Sequence, residues 1–210
     1  AEFAVMTAPI SSSDRIGEIA ADVLEQAPEK FALAGLSMGG IVAMEVLRRA
    51  PDRVRRIALM DTNPLAETPQ SAAAYEPMIV GARAGKLGDV MRGFMRPEFL
   101  APGPHRAEIL ALTMDMALNI GAEVFERQAR ALQRRRDQQS TLRKCKVPAL
   151  VLCGEHDGLT PVKRHTFMAE LIPYAKLCII EGAGHLPTLE QPDATTAALR
   201  EWMTQPFVLR

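Results

Sequence analysis

Short apolar runs alternate with helical patterns at both ends of the chain. The runs cover residues 30–35, 55–61, 147–154 and 175–182. Each is too short for a helix and has a continuous apolar centre, which is typical of strands buried on both faces of a sheet. Parallel strands need crossover connections, and helices usually provide them. The sequence therefore predicts an α/β fold, with a mostly parallel sheet of about four to five strands flanked by helices.

The middle of the chain breaks this alternation. Residues 64–140 contain no convincing strand and show several helical patterns interrupted by glycines. We expect them to form a helical cap inserted between two parts of one core, residues 1–63 and 141–210. Residues 3–8 could add a short strand. Several methionines of the predicted cap are candidates for an apolar substrate pocket or for the interior of the cap: Met78, Met91, Met95, Met114 and Met116.

The charge balance excludes some classes of partner. The sequence has 25 lysines and arginines and 25 aspartates and glutamates, so its formal net charge is zero. A neutral chain has no overall field to attract nucleic acid or an anionic membrane. No apolar run approaches the roughly 20 residues that span a bilayer. We expect neither nucleic acid nor a membrane span.

The cysteines and histidines of the sequence bear on the cellular compartment of the protein and on the cofactors that it could bind. The three cysteines are an odd number, and Cys153 and Cys178 lie in apolar runs. Cys145 lies just before the run 147–154. Free thiols in a cytoplasmic protein are the expected state. No cysteine or histidine cluster has metal-ligand spacing, so we predict neither a metal nor another cofactor.

Three reactive side chains follow three of the predicted strands. Ser37 comes after the run 30–35, Asp157 after 147–154, and His185 after 175–182. The carboxyl ends of parallel strands lie at one edge of a sheet, and such sheets build their sites there. Residues far apart in sequence are therefore expected to meet at this edge.

Ser37 stands in the stretch Gly35-Leu36-Ser37-Met38-Gly39, between a strand and a helix. A tight turn with Gly35 and Gly39 on either side would strain the serine backbone and expose its hydroxyl. The amide of Met38 begins the helix and would offer one hydrogen bond to an oxyanion. A helix cap in a glycine-rich turn is the alternative interpretation of this serine.

A serine hydroxyl needs a base, and the base needs an orienting acid. His185 is the best candidate of the four histidines, because it lies in a Gly-Ala-Gly-His loop after a strand. Asp157 is the preferred acid, although its position before a turn also suits helix capping. Asp61 ends another strand and is the alternative acid.

These segments resemble the α/β-hydrolase superfamily. "GLSMGG" resembles its nucleophile elbow, "GEHDGLTP" its acid loop and "GAGHLPTLEQP" its histidine loop. The resemblance implies that Ser37 is the nucleophile, His185 the base and Asp157 the acid, with residues 64–140 as the cap. It implies a serine hydrolase that cleaves small carboxylic esters through an acyl-enzyme. The alternatives are another reaction of the superfamily (lactonase, C–C hydrolase or perhydrolase) or a catalytically weak binding scaffold.

The chain departs from the superfamily before the elbow. Members carry several further strands there, and one of these leads to a loop that supplies a second oxyanion donor. Here residues 3–8 resemble at most one such strand, so the resemblance implies an N-terminally shortened hydrolase. The run 30–35 would then expose an apolar edge. We expect residues 3–8 to fill it, or a homodimer or higher oligomer to form through it.

Overall fold

The computed structural model describes residues 3–207 of the 210-residue chain. Its sheet contains strands β1 (Phe31–Leu36), β2 (Val54–Met60), β3 (Ala149–Gly154) and β4 (Ala175–Ile180). They lie in the order β1-β2-β3-β4, and every neighbouring pair is parallel. The predicted α/β class and parallel sheet are confirmed, with four strands in the described residues.

Helices cover both faces of this sheet. On one face, buried residues of α1 (Ile16–Gln26) and α2 (Met38–Arg49) join those of α9 (Val162–Leu171) in the main apolar core. On the other face, α11 (Pro192–Thr204) packs through Trp202 against β2, β3 and β4. The two central strands are buried almost completely because they are covered on both sides.

The segment between β2 and β3 is helical. Its helices pack partly on one another through a small cluster around Ala82, Leu87 and Met91. They are α3 (Pro69–Ala73), α4 (Tyr75–Arg83), α5 (Leu87–Phe94), α6 (Arg106–Ile120), α7 (Ala122–Gln133) and α8 (Gln139–Arg143), with a 3-10 turn at Pro97–Phe99. A short helix, α10 (Pro187–Glu190), lies between β4 and α11. Among the described residues, no helix has the length and apolar character needed to cross a bilayer.

The predicted strand over residues 3–8 is wrong. Residues 4–10 have no regular secondary structure, and Val5 is 90% exposed. Side chains of α7 hold the end of this segment instead: Arg127 donates to the carbonyl oxygen of Ser11, and Gln128 donates to that of Ile10. The segment therefore contacts α7 at its end, and Ala8 and Ile10 pack against the main apolar core without forming a strand.

Strand β1 is consequently an edge strand. It pairs with β2 on one side, and within residues 3–207 no strand pairs with its other side. The prediction that this strand is buried on both faces is also wrong, since Ala32 and Ala34 are exposed. Within the described chain, nothing covers the face that these two alanines share.

Candidate active site

Ser37, His185 and Asp157 form one hydrogen-bonded chain at the carboxyl edge of the sheet. The Oγ of Ser37 lies 3.0 Å from Nε2 of His185. The Nδ1 of the same ring lies 3.0 Å from Oδ2 of Asp157. Three side chains that follow three different strands therefore meet, as the strand order predicts.

The turn at Ser37 holds the serine in a strained conformation. Its φ is 53° and its ψ is −117°, which is rare for a residue with a side chain. Its N–H donates to the carbonyl oxygen of Met60 at 2.9 Å, which fixes the turn to the end of β2. A Cβ at Gly35 would lie 2.3 Å from the carbonyl oxygen of Gly39, so only glycine allows the strand to approach the helix so closely.

The sequence predicts that the turn requires glycine at Gly39 as well as at Gly35, but the structure places the second crowded position at Gly40. A Cβ at Gly39 would meet no atom of the described residues within 4 Å, so space does not require glycine there. The crowded position is Gly40, where a Cβ would lie 2.7 Å from the side chain of Thr62. Thr62 in turn donates its hydroxyl hydrogen to the backbone carbonyl oxygen of Ser37 at 2.7 Å.

A buried histidine accepts a hydrogen bond from the backbone of this threonine. His165 is fully buried, and its Nε2 accepts the backbone N–H of Thr62 at 2.9 Å. Burial lowers the pKa of His165 to about 4, so the ring is neutral at pH 7. Its role behind the elbow depends on a contact 103 residues away in the chain, which no local pattern records.

The loop that carries His185 is held at both ends. The backbone N–H of His185 donates to the carbonyl oxygen of Phe99 at 2.8 Å. A Cβ at Gly184 would lie 2.5 Å from that same oxygen, so glycine permits the contact. Glu190 accepts the N–H groups of Leu186 and Ala101, at 2.9 and 2.7 Å. The inserted segment and α10 thus fix the histidine loop together.

Asp157 faces His185 and also closes the turn that follows it, but it does not cap α9, which begins at Val162 without a side-chain cap. Its Oδ1 accepts the backbone N–H groups of Leu159 and Thr160, each at 2.8 Å, and so closes the following turn. Its Oδ2 accepts from the Thr160 hydroxyl at 2.5 Å and lies 3.0 Å from His185. Burial opposes ionisation, but these hydrogen bonds outweigh it, that of His185 first, and the pKa of Asp157 is lowered.

The hydrogen bonds also determine the proton positions on His185. An ionised Asp157 can only accept, so Nδ1 of His185 carries the hydrogen. Nε2 then has a free lone pair and accepts from the hydroxyl of Ser37. In this tautomer His185 can take the serine proton, while the carboxylate stabilises the ring that becomes charged.

Asp61, the alternative acid, lies beside the hydrogen-bonded series Ser37–His185–Asp157 and is not part of it. Its side chain is fully buried, and Oδ1 accepts the N–H of Gly154 at 2.9 Å. Its Oδ2 has no hydrogen-bond partner in the described residues. Burial is the main cause that raises the pKa of Asp61 to about 9, and the charge of Asp157 adds to it. The hydrogen-bonded acid of His185 is therefore Asp157.

Ligand atoms of Asp61, Asp157 and His185 all lie within 4.8 Å of one another, close enough to surround a metal ion. Metal binding would require Asp61 to lose its proton and Nδ1 of His185 to give up its hydrogen bond. The three cysteines are free thiols and lie outside this group.

An apolar cavity of about 260 Å³ adjoins the nucleophile. Ser37 and Met38 line it together with residues of the inserted helices, among them Met91, Phe94, Met116, Ala117, Ile120 and Phe125. Two of the predicted methionines thus contribute to the cavity, whereas Met95 and Met114 pack in the interior of the inserted segment. A larger cavity of about 720 Å³, near Phe207, is not lined by Ser37, Asp157 or His185.

Met38 is the first residue of α2, so its N–H lies in the helical turn where amides have no intrahelical acceptor. It follows Ser37 directly and lines the same cavity. The position suits a backbone donor to an oxyanion formed on a substrate carbonyl.

Curated relatives of this chain are esterases. The chain is 24% identical over 204 residues to a pimeloyl-(acyl-carrier protein) methyl ester esterase of Vibrio parahaemolyticus, covering 89% of this chain and 75% of that protein. It is 28% identical over 190 residues to the protein of the same name from Aromatoleum aromaticum, covering 81% and 73% of the two.

Solved structures show the same fold. A thermophilic esterase from Thermogutta terrifontis superposes with a TM-score of 0.86 at 29% identity, over 92% of this chain and 74% of that one. The enol-lactonase from Burkholderia xenovorans LB400 superposes with a TM-score of 0.81 at 24% identity, over 92% and 75%. The profile of the family described as "Alpha/beta hydrolase family" matches residues 7–199. With the serine turn, the histidine loop and the acid loop in place on a parallel sheet, this chain belongs to the alpha/beta hydrolase family.

Proposed function

We propose that this protein is a serine esterase that cleaves small carboxylic esters through an acyl-enzyme on Ser37. The hydrogen-bonded chain from Ser37 through His185 to Asp157, next to an apolar cavity, is the observation that carries the proposal. The names of the curated relatives, which are methyl ester esterases, support the same class of reaction.

The reaction follows from the positions of the protons on Ser37 and His185. Ser37 Oγ attacks the ester carbonyl carbon while its proton moves to Nε2 of His185. The tetrahedral intermediate collapses, the C–O bond to the alcohol breaks, and His185 returns the proton to the departing alcohol oxygen. A water molecule then repeats both steps on the acyl-enzyme and releases the carboxylic acid. Asp157 holds the ring and stabilises its charged form.

The backbone N–H of Met38 is the proposed oxyanion donor. Loss of one oxyanion donor typically reduces turnover by about 10²–10³, so this amide should contribute strongly to the rate. The inserted helices act as a cap over Ser37, and the apolar cavity beneath them receives the acyl chain.

The remaining predictions belong to the same proposal. The enzyme needs no cofactor, because every group in the reaction is a side chain or a backbone amide. The three free thiols favour a cytoplasmic location. Its partner is a small ester, and a second copy of the chain could bind at the unpaired edge of β1.

The test is Ser37→Ala, compared with the wild type on p-nitrophenyl esters of increasing acyl length. We expect turnover to fall by on the order of 10⁴–10⁶. A fluorophosphonate probe should label Ser37 in the wild type. Unchanged turnover in the variant would refute the esterase, and an unlabelled wild type would favour the binding scaffold. Lactones and diketones in the same assay would reveal the alternative hydrolase reactions.

A further inference from the structure

The buried carboxyl of Asp61 has one oxygen that the proposed reaction leaves without a role. Asp61 ends β2 with a positive φ of 44°, which is strained for a residue with a side chain. Gly154 satisfies one of its oxygens, and within the described residues Oδ2 has no hydrogen-bond partner. A buried polar atom of this kind costs free energy unless it has a function or a proton to donate.

The neighbours of Asp61 explain which form of the carboxyl is stable. A carboxyl oxygen of Asp61, one of Asp157 and a ring nitrogen of His185 all lie within 4.8 Å of one another. Two buried carboxyls so close together cannot both ionise at low cost. Asp157 accepts hydrogen bonds on both oxygens and takes the charge, so Asp61 keeps a proton.

No positive charge near Asp61 reverses this balance. Its negative neighbours are Asp157 and Glu190, and both raise the pKa of Asp61. His165 is neutral at pH 7, since burial lowers its pKa to about 4. Burial raises the pKa of the Cys153 thiol, which therefore also stays neutral. His185 is the remaining titratable ring, and its Nδ1 already faces Asp157.

We infer that Asp61 is a second, neutral carboxyl of the acid site, which holds a proton beside Asp157 and can orient His185 if Asp157 is removed. The inference rests on the proposed function of Ser37 and His185. In the wild type Asp157 alone orients His185, and the neutral form of Asp61 avoids a second buried charge beside it. In the absence of Asp157, the nearest carboxyl to His185 that can lose its proton is Asp61.

If Asp61 carries a proton, Asp61→Asn and Asp157→Asn should change kcat to different extents. Asp61→Asn mimics a neutral carboxyl, because the amide keeps an acceptor for Gly154 and offers a donor on the other side. We expect its kcat to stay within about threefold of the wild type, a change of less than about 0.7 kcal/mol. Asp157→Asn should reduce kcat far more, toward the roughly 10⁴-fold loss known for an amide in the acid position of such triads.

The decisive comparison is Asp157→Ala against the double variant Asp61→Asn/Asp157→Ala. In the single variant Asp61 must ionise to orient His185, so kcat should rise with pH, by up to about tenfold per pH unit, until the carboxyl of Asp61 has lost its proton. The double variant should lack this rise. Identical pH profiles in the two variants would overturn the inference, as would a 10⁴-fold loss in Asp61→Asn alone. If the alanine variants do not fold, Asp157→Asn with and without Asp61→Asn gives the same comparison.

An infrared measurement tests the proton without any turnover. The difference spectrum of the wild type minus Asp61→Asn at pH 7 should contain the carbonyl band of a protonated carboxyl. Absence of this band would refute the neutral Asp61 even in an active enzyme. Failure of the proposed function has a different signature, because fluorophosphonate would then leave Ser37 of the wild type unlabelled.

Discussion

Thr62 donates its hydroxyl hydrogen to the backbone carbonyl oxygen of Ser37, at 2.7 Å. The bond connects the residue after Asp61 with the nucleophile turn, and it holds the serine in its strained conformation. We predict that Thr62→Val, which keeps the side-chain shape, lowers the free energy of unfolding by about 1 kcal/mol. If the loss is also felt in the transition state, kcat falls by up to about tenfold.

The control for this prediction is Thr166→Val on α9. Its hydroxyl donates to the carbonyl oxygen of Val162 at 3.2 Å, within its own helix and outside the nucleophile turn. In urea unfolding and in ester hydrolysis, Thr62→Val should lose more stability and more kcat than Thr166→Val. Equal kcat values in Thr62→Val and Thr166→Val would show that the bond to Ser37 does not position the nucleophile.

The two glycines that flank Ser37 should respond differently to alanine. A Cβ at Gly35 would lie 2.3 Å from backbone atoms, whereas at Gly39 it meets open space. We expect Gly35→Ala to cost about 3 kcal/mol or more of folding free energy and to abolish activity. Gly39→Ala should fold at least as well as the wild type, since alanine is the better helix former. Thermal unfolding of both variants tests this difference. Equal destabilisation of Gly35→Ala and Gly39→Ala would contradict the close backbone contact at Gly35.

Stability at acid pH should depend on Glu45. This carboxylate of α2 is buried and accepts hydrogen bonds from Arg48, Arg49 and Gln138. Burial opposes its ionisation, but these hydrogen bonds outweigh burial and lower the pKa from 4.5 to about 2. As pH falls through 4.5 the unfolded chain takes up a proton that the folded chain refuses, so stability decreases between about pH 4.5 and 2.

Glu45→Gln should remove this dependence. We expect it to lower the free energy of unfolding by about 1–3 kcal/mol at pH 7, where the carboxylate contributes fully. At pH 3 the difference from the wild type should be smaller. The exposed Glu29→Gln is the matched control, and it should change stability little at either pH. A difference that does not shrink at pH 3 would argue against the low pKa of Glu45.

The cavity beside Ser37 should limit the length of the acyl chain. Ala117 lines this cavity on α6, while Ala111 of the same helix is exposed and outside it. We predict that Ala117→Leu lowers kcat/KM for an octanoate ester relative to an acetate ester by about tenfold or more. Ala111→Leu should leave the ratio unchanged. The same change of ratio in both variants would place the acyl chain elsewhere.

Self-association through β1 stays a prediction. The free edge of this strand presents backbone groups that pair with no other strand of residues 3–207, and Ala32 and Ala34 are exposed on the adjoining face. We expect the molecular mass from light scattering to rise with protein concentration. Ala32→Lys/Ala34→Lys should suppress the rise, because charged side chains discourage pairing at an edge. A constant monomer mass in the wild type would exclude the dimer.

Buried strands could be located well from the sequence. The runs 55–61 and 147–154 correspond to Val54–Met60 and Ala149–Gly154, because a largely apolar run of this length suits a parallel strand covered on both faces. The run 175–182 corresponds to Ala175–Ile180, but that strand is not buried on both faces, since Lys176 and Ile179 are exposed. The run at residues 3–8 is also apolar, yet Val5 is 90% exposed. Its place is decided by side chains of α7 that lie more than 100 residues away in the chain.

The three principal site residues could likewise be predicted, since each follows a strand and strand ends converge. Thr62 and His165 could not be, because their roles exist only through contacts with distant backbone groups. Asp61 was visible as a carboxyl after a strand. Its neutral state depends on complete burial and on the nearness of Asp157, which only the folded chain reveals.

Ser37 and His185, the proposed nucleophile and base, are 148 positions apart in the chain. A ribosome that adds about 5–20 residues per second therefore makes Ser37 some 7 to 30 s before His185 exists. During that time the serine hydroxyl has no base and remains an ordinary alcohol. The order of the residues thus delays the appearance of a reactive nucleophile until the last part of the sheet has been synthesised.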